Sequence, residues 1–397
     1  MDKYGEDTKL IFNLENQGGD AYSLRYDMTV PFARYVASKK IANYKRFTIG
    51  NVYRRDNPSK GRLREFTQAD IDITGVFKGM KLIYEAEIIK AADSILGGIR
   101  RCFSPYKVEL GNYRIKYNDR RIIWGMLDLL EIGDENKMPI CSTIDKFDKL
   151  NEEEFLAELE SKGMRKKKEL LNLLKEDGNE ALRQLEAMAS GKENERMAAM
   201  REAIGDLEEL RKLQVIFGVE TVKFDLTLAR GLTYYTGMII EAVFEDAEVG
   251  SVAGGGRYDK LVYELSGFDT PCIGFSIGVT RVMHAVMAQS KTSELERLIE
   301  TSVLVGSAFG DMFEKKMELL SRIRQEFSAC VVPGTNLDFR GQIEYGRKKN
   351  YKLVVLTGEK EAEVGKVVVY DIGSNKKSEI DERDLMDVLR DTLGNKN

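Results

Sequence analysis

Histidine is almost absent from the sequence, since its 397 residues include only His284. A Ser-His-Asp triad built by this chain would have to use that residue, and histidine-rich metal sites are excluded. The four cysteines lie far apart and form no CxxC pair, so neither a zinc knuckle nor a disulfide framework is indicated. No apolar run approaches the roughly 18 residues of a membrane span.

Charge of one sign is also lacking, because 61 Lys and Arg residues face 65 Asp and Glu residues, for a formal net charge of −4. A chain with this balance does not coat a polyanion nonspecifically, although it is compatible with a local basic groove. The polar start, MDKYGEDTK, does not resemble a signal peptide. We therefore expect a soluble, cytoplasmic protein with no membrane partner.

Composition divides the chain into regions. Residues 1–120 and 217–290 contain most of the strand-like segments punctuated by glycine, which predicts one core built from two stretches. Between them, 121–216 is predicted to be a helical insertion, because 151–216 lacks proline, is densely charged and has apolar residues at helical spacing. In 300–397 short apolar runs alternate with helical patterns, which predicts a small α/β domain with a buried sheet.

Residues 45–75 have the pattern of a long hairpin. Side chains on its returning strand alternate with period two. One face is apolar and comprises Ala69, Ile71 and Ile73. The other carries a ring, an amide and two carboxylates: Phe66, Gln68, Asp70 and Asp72. Alternation alone leaves two interpretations open, an ordinary hairpin with a solvated outer face or a ligand-binding sheet whose cationic ends hold phosphates.

The order of the residues favours the ligand-binding sheet. Segment 53–75 reads YRRDNPSKGRLREFTQADIDITG and resembles motif 2 of class II aminoacyl-tRNA synthetases, in the form typical of the eukaryotic-type histidyl-tRNA synthetase family. Two segments resemble the family's histidine-specific signatures: LARGLTYYTG (228–237) and AGGGRYDKLV (253–262). Two more resemble motif 3 and the stretch before motif 2: GFSIGVTRV (274–282) and LRYDMTVPFARYVA (24–37). The five segments follow in family order along nearly the whole chain.

The resemblance implies a fold and a reaction. The fold is α/β (α+β), with a class II antiparallel catalytic sheet formed by 1–120 and 217–290, a helical insertion at 121–216 and an anticodon-binding domain at 300–397. The reaction joins L-histidine and ATP, with Mg²⁺ on the nucleotide, into histidyl-adenylate, and then transfers histidine to tRNA(His). The family is homodimeric through a motif 1 that this sequence does not contain, so we expect the chain as given to be impaired as a dimer.

The resemblance assigns the ATP-binding residues to the motifs. Arg54 and Arg230 would be catalytic, since they would hold the α-phosphate from its two sides. Arg281 would contact the γ-phosphate, Arg62 would lie near the triphosphate and Phe66 would stack on adenine. Guanidinium suits these positions because it is planar, always charged and able to bind bidentately while charge builds on phosphate oxygens.

The resemblance also assigns a histidine site. Asp27, Thr29 and Gln68 would hold the α-amino group, whereas Asp72 and Tyr235 would hydrogen-bond the imidazole. Such buried polar partners reject other side chains strongly, because any other ligand leaves them unpaired.

The resemblance assigns four more residues to the histidine site. Arg230, Tyr234, Gly254 and Gly255 complete the predicted site, although the glycines could instead be simple turns.

His284 is expected to be structural. The basic clusters 165–168 and 347–349 are either solvated faces or contacts to tRNA phosphates.

The sequence departs from the family pattern at four positions. Thr233 and Thr280 replace usual carboxylates, and Thr67 and Leu63 replace usual aromatic or histidine residues. The rival interpretation is a non-catalytic paralogue that senses tRNA or histidine. Such relatives typically lose the motif arginines or the anticodon-binding domain, and this sequence has both, which favours the enzyme.

Overall fold

The computed structural model describes residues 10–58, 63–75, 81–104, 110–231, 234–245, 249–289, 302–307, 312–332 and 338–394. The chain forms two compact units, Met1–Gln289 and Ser290–Asn397. None of the helices in these described ranges is long and apolar enough to cross a membrane.

The N-terminal unit is organised around a seven-stranded sheet. Two short strands, β1 (Asn13–Leu14) and β2 (Tyr22–Ser23), form a separate pair. The strands of the main sheet are β3 (Tyr44–Tyr53), β4 (Glu65–Thr74), β5 (Tyr113–Asp119), β6 (Val222–Phe224), β7 (Met238–Phe244), β8 (Ser251–Arg257) and β9 (Cys272–Gly278). The strand order in the main sheet is β3-β4-β9-β8-β7-β5-β6. Neighbouring strands are antiparallel except β5 and β6, which are parallel. The predicted antiparallel core is thereby confirmed.

Helices cover this sheet and form the segment inserted between β5 and β6. They are α1 (Thr29–Lys39), α2 (Ile83–Phe103), α3 (Arg120–Leu129), α4 (Asp134–Ile144), α5 (Glu152–Ser161), α6 (Lys167–Lys175), α7 (Gly178–Met188), α8 (Glu195–Ile216), α9 (Asp259–Ser266) and α10 (Val279–Gln289). A short 3₁₀ turn, Phe147–Lys149, follows α4.

The predicted hairpin is confirmed as β3 and β4, which pair from Tyr44 opposite Thr74 to Tyr53 opposite Glu65. Strand β4 also pairs with β9 on its other side, so it lies inside the sheet. Its carboxylates Asp70 and Asp72 are only 3% and 1% exposed. The solvated outer face of an ordinary hairpin is therefore wrong for this strand.

The inserted helices α3 to α8 are joined by caps and ion pairs. Asn151 and Glu154 form a reciprocal capping box at the start of α5, which satisfies two backbone donors that a helix start leaves unpaired. The buried ammonium of Lys137 binds Asp128 and Asp134, and Arg196 from α8 binds Asp134 with two contacts of 2.7 Å. These contacts fix α3, α4 and α8 against one another.

The C-terminal unit has a mixed five-stranded sheet with helices on both faces. Its elements are β10 (Val303–Ser307), α11 (Phe313–Ile323), β11 (Ala329–Val331), α12 (Phe339–Lys348), β12 (Leu353–Thr357), α13 (Glu359–Glu363), β13 (Lys366–Asp371), β14 (Lys376–Asp381) and α14 (Leu385–Leu393). The strand order is β11-β10-β12-β13-β14, and the first three strands are parallel. Alternate residues of β10 enter two cores, with Val303 and Val305 on one face and Leu304 on the other.

Candidate active site

A cavity of about 720 Å³ opens on the sheet of the N-terminal unit, where β4, β8 and β9 lie side by side. Most of the side chains predicted from the sequence line it. These are Asp27, Thr29, Arg54, Phe66, Gln68, Arg230, Tyr234, Tyr235, Gly254, Gly255 and Arg281. Segments far apart in the chain are therefore brought together around one space large enough for a small-molecule ligand.

Arg54 lies between two aromatic rings at one wall of the cavity. Its guanidinium carbon is 4.3 Å from the ring centre of Tyr26 and 5.1 Å from that of Phe66. The Nε atom of Arg54 donates to the backbone oxygen of Tyr26 at 3.2 Å. A cation this close to two ring centres is attracted to both rings. This wall presents a positive charge and a flat apolar surface next to each other.

Ser251, the first residue of β8, brings two further arginines together. Nη1 of Arg230 donates to its hydroxyl oxygen at 2.7 Å, and Nη1 of Arg281 donates to its backbone oxygen at 2.6 Å. Arg281 lies in the first turn of α10, and Arg230 lies in the segment between β6 and β7. Two guanidinium groups thus converge on one residue, which forms the second cationic wall of the cavity.

Carboxylates surround Arg230. Asp145 accepts from Nε at 2.9 Å and from Nη2 at 3.1 Å, and Glu241 forms an ion pair with Nη1. Burial alone would lower the pKa of Arg230, but the charges of Glu241 and Asp145 outweigh burial and raise the pKa. The arginine therefore remains fully charged at any physiological pH.

The opposite part of the cavity is lined by hydroxyl and carboxyl groups. Asp27 is buried and accepts from the backbone N–H of Val30 at 3.0 Å, so it fixes the first turn of α1, where Thr29 lies. The phenol oxygens of Tyr234 and Tyr235 are 3.5 Å apart. Burial raises the pKa of both phenols above their ordinary value. Both tyrosines consequently stay protonated and can donate.

Gln68 and Asp70 lie two residues apart on β4 and both line the cavity. The buried Oε1 atom of Gln68 has no hydrogen-bond partner among the described residues. Asp70 accepts from the Ser276 hydroxyl at 2.5 Å, and burial raises its pKa to about 7. A buried acceptor without a partner costs free energy, so Gln68 is suited to receive a donor from a ligand.

Asp72 does not line the cavity. Its carboxylate pairs with Arg46 at 2.8 Å and accepts from the hydroxyl of Tyr258, which is itself a lining residue. Gly274 lies directly opposite Asp72 on β9, and a Cβ there would come within 2.3 Å of the carboxylate. Burial raises the pKa of Asp72 despite these partners. The structure places this residue behind Tyr258, in contact with the wall of the site.

The glycines have distinct local roles. A Cβ on Gly255 would lie 2.2 Å from the backbone oxygen of Gly274 on the neighbouring strand, so glycine is required there by strand packing. At Gly254 the nearest atom would be 3.6 Å away, which leaves ordinary space. Gly231 has φ +67°, and a Cβ there would meet the ring of Tyr235 at 2.3 Å. Gly231 thus permits the turn that seats this tyrosine.

Two of the departures from the family pattern contact each other. The hydroxyl of Thr280 accepts from the backbone N–H of Thr67 at 3.0 Å, and so joins the start of α10 to β4. Leu63 lines the cavity. Arg62, which is predicted to lie near the triphosphate, and Thr233 lie outside the described residues. His284 lies in α10 and is not among the lining residues.

Several lining residues were not predicted from the sequence. Asp70 is placed on the same face as Gln68 by simple alternation, but the family resemblance assigns it no role. Asp145, Glu241 and Ser251 carry no motif signal. Glu241 and Ser251 reach the cavity from the paired strands β7 and β8, and Asp145 reaches it from the end of α4. Within the described ranges no group of three or more His, Cys, Asp or Glu residues could hold a metal ion.

Comparison with known proteins gives a consistent answer. Residues 1–282 match the family model described as histidyl-tRNA synthetase. The chain is 38% identical over 98% of its length to a protein of Encephalitozoon cuniculi named probable cytoplasmic histidine–tRNA ligase, and covers 87% of that protein. It is 39% identical over its whole length to a cytoplasmic histidine–tRNA ligase of rice, and covers 49% of that longer protein.

A solved structure is also similar. The histidyl-tRNA synthetase of Nostoc sp. PCC 7120 superposes with a TM-score of 0.69 at 25% identity. The match covers 96% of this chain and 86% of the other. Similarity in sequence and in structure therefore extends over both units of the chain.

Proposed function

Because the chain belongs to the histidyl-tRNA synthetase family and has the activity of a histidine–tRNA ligase, we propose that the cavity on β4, β8 and β9 is where it activates histidine with ATP. In this step a carboxylate oxygen of histidine attacks the α-phosphorus of ATP, and pyrophosphate leaves. The product, histidyl-adenylate, then gives histidine to the terminal ribose of tRNA(His). The observation that carries this assignment is one cavity lined both by three guanidinium groups and by the buried, unpartnered acceptor of Gln68.

The cationic walls are proposed to bind ATP. Arg54 and Arg230 would neutralise the charge that builds on the α-phosphate oxygens, and Arg281 would bind the γ-phosphate. Preorganised cations of this kind are typically the largest electrostatic contribution to such a step. Phe66, already facing Arg54, offers a flat surface for adenine. Mg²⁺ is proposed to arrive on the triphosphate, held mostly by phosphate and water oxygens.

The polar part of the cavity is proposed to bind histidine. Asp27, Thr29 and Gln68 would accept from the α-amino group, and Gln68 has the unpaired buried oxygen that such a donor would satisfy. Tyr235 would donate to or accept from the imidazole. Asp72 would affect the imidazole only indirectly, because its carboxylate accepts a hydrogen bond from the hydroxyl of Tyr258, which lines the cavity. Any side chain without ring nitrogens would leave these groups unpaired, which disfavours its binding.

The C-terminal unit is proposed to bind the anticodon of tRNA(His), and the basic cluster of the inserted helices to contact phosphates of the same tRNA. Arg347, Lys348 and Lys349 end α12, and Lys168 with its neighbours opens α6. Some of these cations already pair with acids, as Lys166 does with Glu131 at 2.6 Å. The remaining charges would contact phosphates, and such contacts weaken as salt concentration rises.

We also propose a cytoplasmic location and, as expected from the sequence, an impaired homodimer whose remaining contact is the edge strand β3. The relatives from E. cuniculi and rice are named cytoplasmic. For the dimer, β3 is the edge strand of its sheet, and its residues Phe47 and Ile49 are 79% and 66% exposed. Large apolar side chains on an open edge favour association. Light scattering on the wild type and on Phe47→Lys tests this, since the variant should have a lower mean mass than the wild type. Equal masses of the two proteins would contradict association through β3.

An exchange assay tests the central proposal. The purified full chain is expected to catalyse ATP–pyrophosphate exchange that depends on histidine, and no other amino acid should substitute for it. Arg114→Gln provides a matched control, since Arg114 pairs with Glu245 at 2.5 Å on the same sheet but away from the cavity. Binding of ATP without histidine-stimulated exchange would instead indicate a regulatory paralogue.

A further inference from the structure

The guanidinium of Arg230 is held by residues from three parts of the N-terminal unit. Asp145 accepts from Nε and Nη2, Ser251 accepts from Nη1, and Glu241 pairs with Nη1. A guanidinium has five N–H donors, and these contacts use four of them. One N–H, on Nη2, is left to meet a ligand in the cavity.

Asp145 is unlike the other two partners, because it comes from the inserted helices. It is the residue at the C-terminal end of α4, where its backbone N–H binds the carbonyl oxygen of Cys141 at 3.0 Å. The C-terminus of a helix carries partial negative charge, so a carboxylate is disfavoured there without a cation. Arg230 supplies that cation with two parallel hydrogen bonds, the most directional arrangement available to a guanidinium.

We propose that Asp145 is a positioning residue for adenylate formation, acting through Arg230. By holding Nε and Nη2 together, its carboxylate fixes the plane of the guanidinium and aims the remaining N–H at the phosphate. Glu241 and Ser251 bind only Nη1, and a single nitrogen leaves the plane free to rotate about its bond. This inference rests on the proposed function, and it assigns to the inserted helices a part in the chemical step.

The test uses Asp145→Asn in the full chain. The amide keeps the size of the side chain but presents an N–H where Arg230 also donates, so the paired contact is lost. We expect kcat for histidine-dependent pyrophosphate exchange to fall about 10- to 100-fold, the usual cost of removing the partner that orients a functional group. The KM for histidine should change less than about threefold, because in the proposed site Asp145 acts on the phosphate-binding Arg230 and not on the groups that accept from the α-amino group. Asp145→Glu should recover part of kcat.

Two controls separate positioning from general damage. Asp148→Asn lies three residues away, where Asp148 binds Lys116 at 3.1 Å outside the cavity lining, and it should leave kcat unchanged. In an Arg230→Lys background, adding Asp145→Asn should cost little more, because the two residues act as one unit. Independent, multiplying losses in the double variant, or a normal kcat in Asp145→Asn while the wild type is active, would overturn the inference. A wild type without histidine-dependent exchange would refute the proposed function instead.

Discussion

The two sheets of this protein are built on opposite principles. In the C-terminal unit the central strands β10 and β12 are buried except at Ser307, and their alternate residues contribute to apolar cores on both faces. In the N-terminal unit the central strands β4 and β8 carry buried carboxylates and consecutive glycines. The C-terminal sheet is stabilised mainly by apolar contacts, whereas the N-terminal sheet has polar groups at buried positions where such contacts could otherwise form.

The difference explains where function can reside. Buried polar groups lower stability unless each finds a partner. In the described part of the chain, the unpartnered Oε1 of Gln68 in the N-terminal sheet borders the cavity, whereas the unpartnered hydroxyl of Thr357 in the C-terminal sheet lies in a strand that is buried throughout. The described strands of the C-terminal sheet are covered by apolar cores on both faces, so we expect its contribution to come from its helices and loops. Substitutions in each sheet should therefore have different consequences.

The largest effect is expected for Arg230→Lys in the N-terminal unit. Lysine has three donors, too few to hold Asp145, Ser251, Glu241 and a phosphate at once, although the charge is preserved. We expect kcat for adenylate formation to fall about 10²- to 10³-fold. Pyrophosphate exchange measures it, with Arg114→Lys as the control. A kcat near that of the wild type would show Arg230 to be purely structural.

In the C-terminal unit, Leu304→Ala should act on stability alone. Leu304 is fully buried between α12 and the sheet, and removing such a side chain typically costs about 2–5 kcal/mol. Circular dichroism should show that the unit unfolds at a lower urea concentration than in the wild type, while pyrophosphate exchange persists. Val364→Ala, at a side chain that is 64% exposed in the same unit, should change neither. Loss of exchange in folded Leu304→Ala protein would contradict the expectation that this side chain contributes to stability alone.

Asp70→Asn tests the polar character of the catalytic sheet through pH. Burial raises the pKa of Asp70 from 3.8 to about 7, so between these values the folded state keeps a proton that the unfolded state has lost. Stability contributed by this proton is complete below about pH 4 and is lost as pH rises to about 7, by up to ~1.4 kcal/mol per pH unit. The variant should lack this slope in urea unfolding measured from pH 4 to pH 8. Identical slopes in both proteins would contradict the buried, protonated carboxyl.

The smallest effect is expected for Lys349→Gln at the end of α12. Loss of one phosphate contact should weaken charging of tRNA(His) a few-fold and reduce its salt dependence by about one ion, without altering pyrophosphate exchange. Lys360→Gln, on α13 of the same unit, provides the control. If both variants charge tRNA like the wild type at every salt concentration, the basic end of α12 is only a solvated surface.

Much of the fold could be predicted from local patterns. The hairpin of β3 and β4 follows from alternation, and the α/β character of the C-terminal unit follows from its buried apolar runs. The side chains gathered around the cavity, such as Arg54, Gln68 and Arg281, were found because each lies within a recognisable motif. These are short-range signals, and a sequence states them directly.

What could not be predicted depends on distance along the chain. Asp145 meets Arg230 across 85 residues, and nothing in the local sequence around either one signals the contact. Asp72 shares a face with Gln68 by alternation, yet Arg46 and Tyr258 draw its carboxylate away from the cavity. Alternation assigns a face, but the partners that compete for a side chain are supplied by other strands.

The close approach of β8 and β9 has a consequence for genetics. Any side chain at Gly255 would collide with the backbone of Gly274, so the spacing of the two strands by itself requires glycine there. In a scan that reads only growth or activity, substitution of Gly255 would therefore score as severely as substitution of a reacting arginine. Intolerance to mutation would mark this position as part of the catalytic apparatus, and only the amount of soluble protein would reveal that a spacing between two strands had been lost.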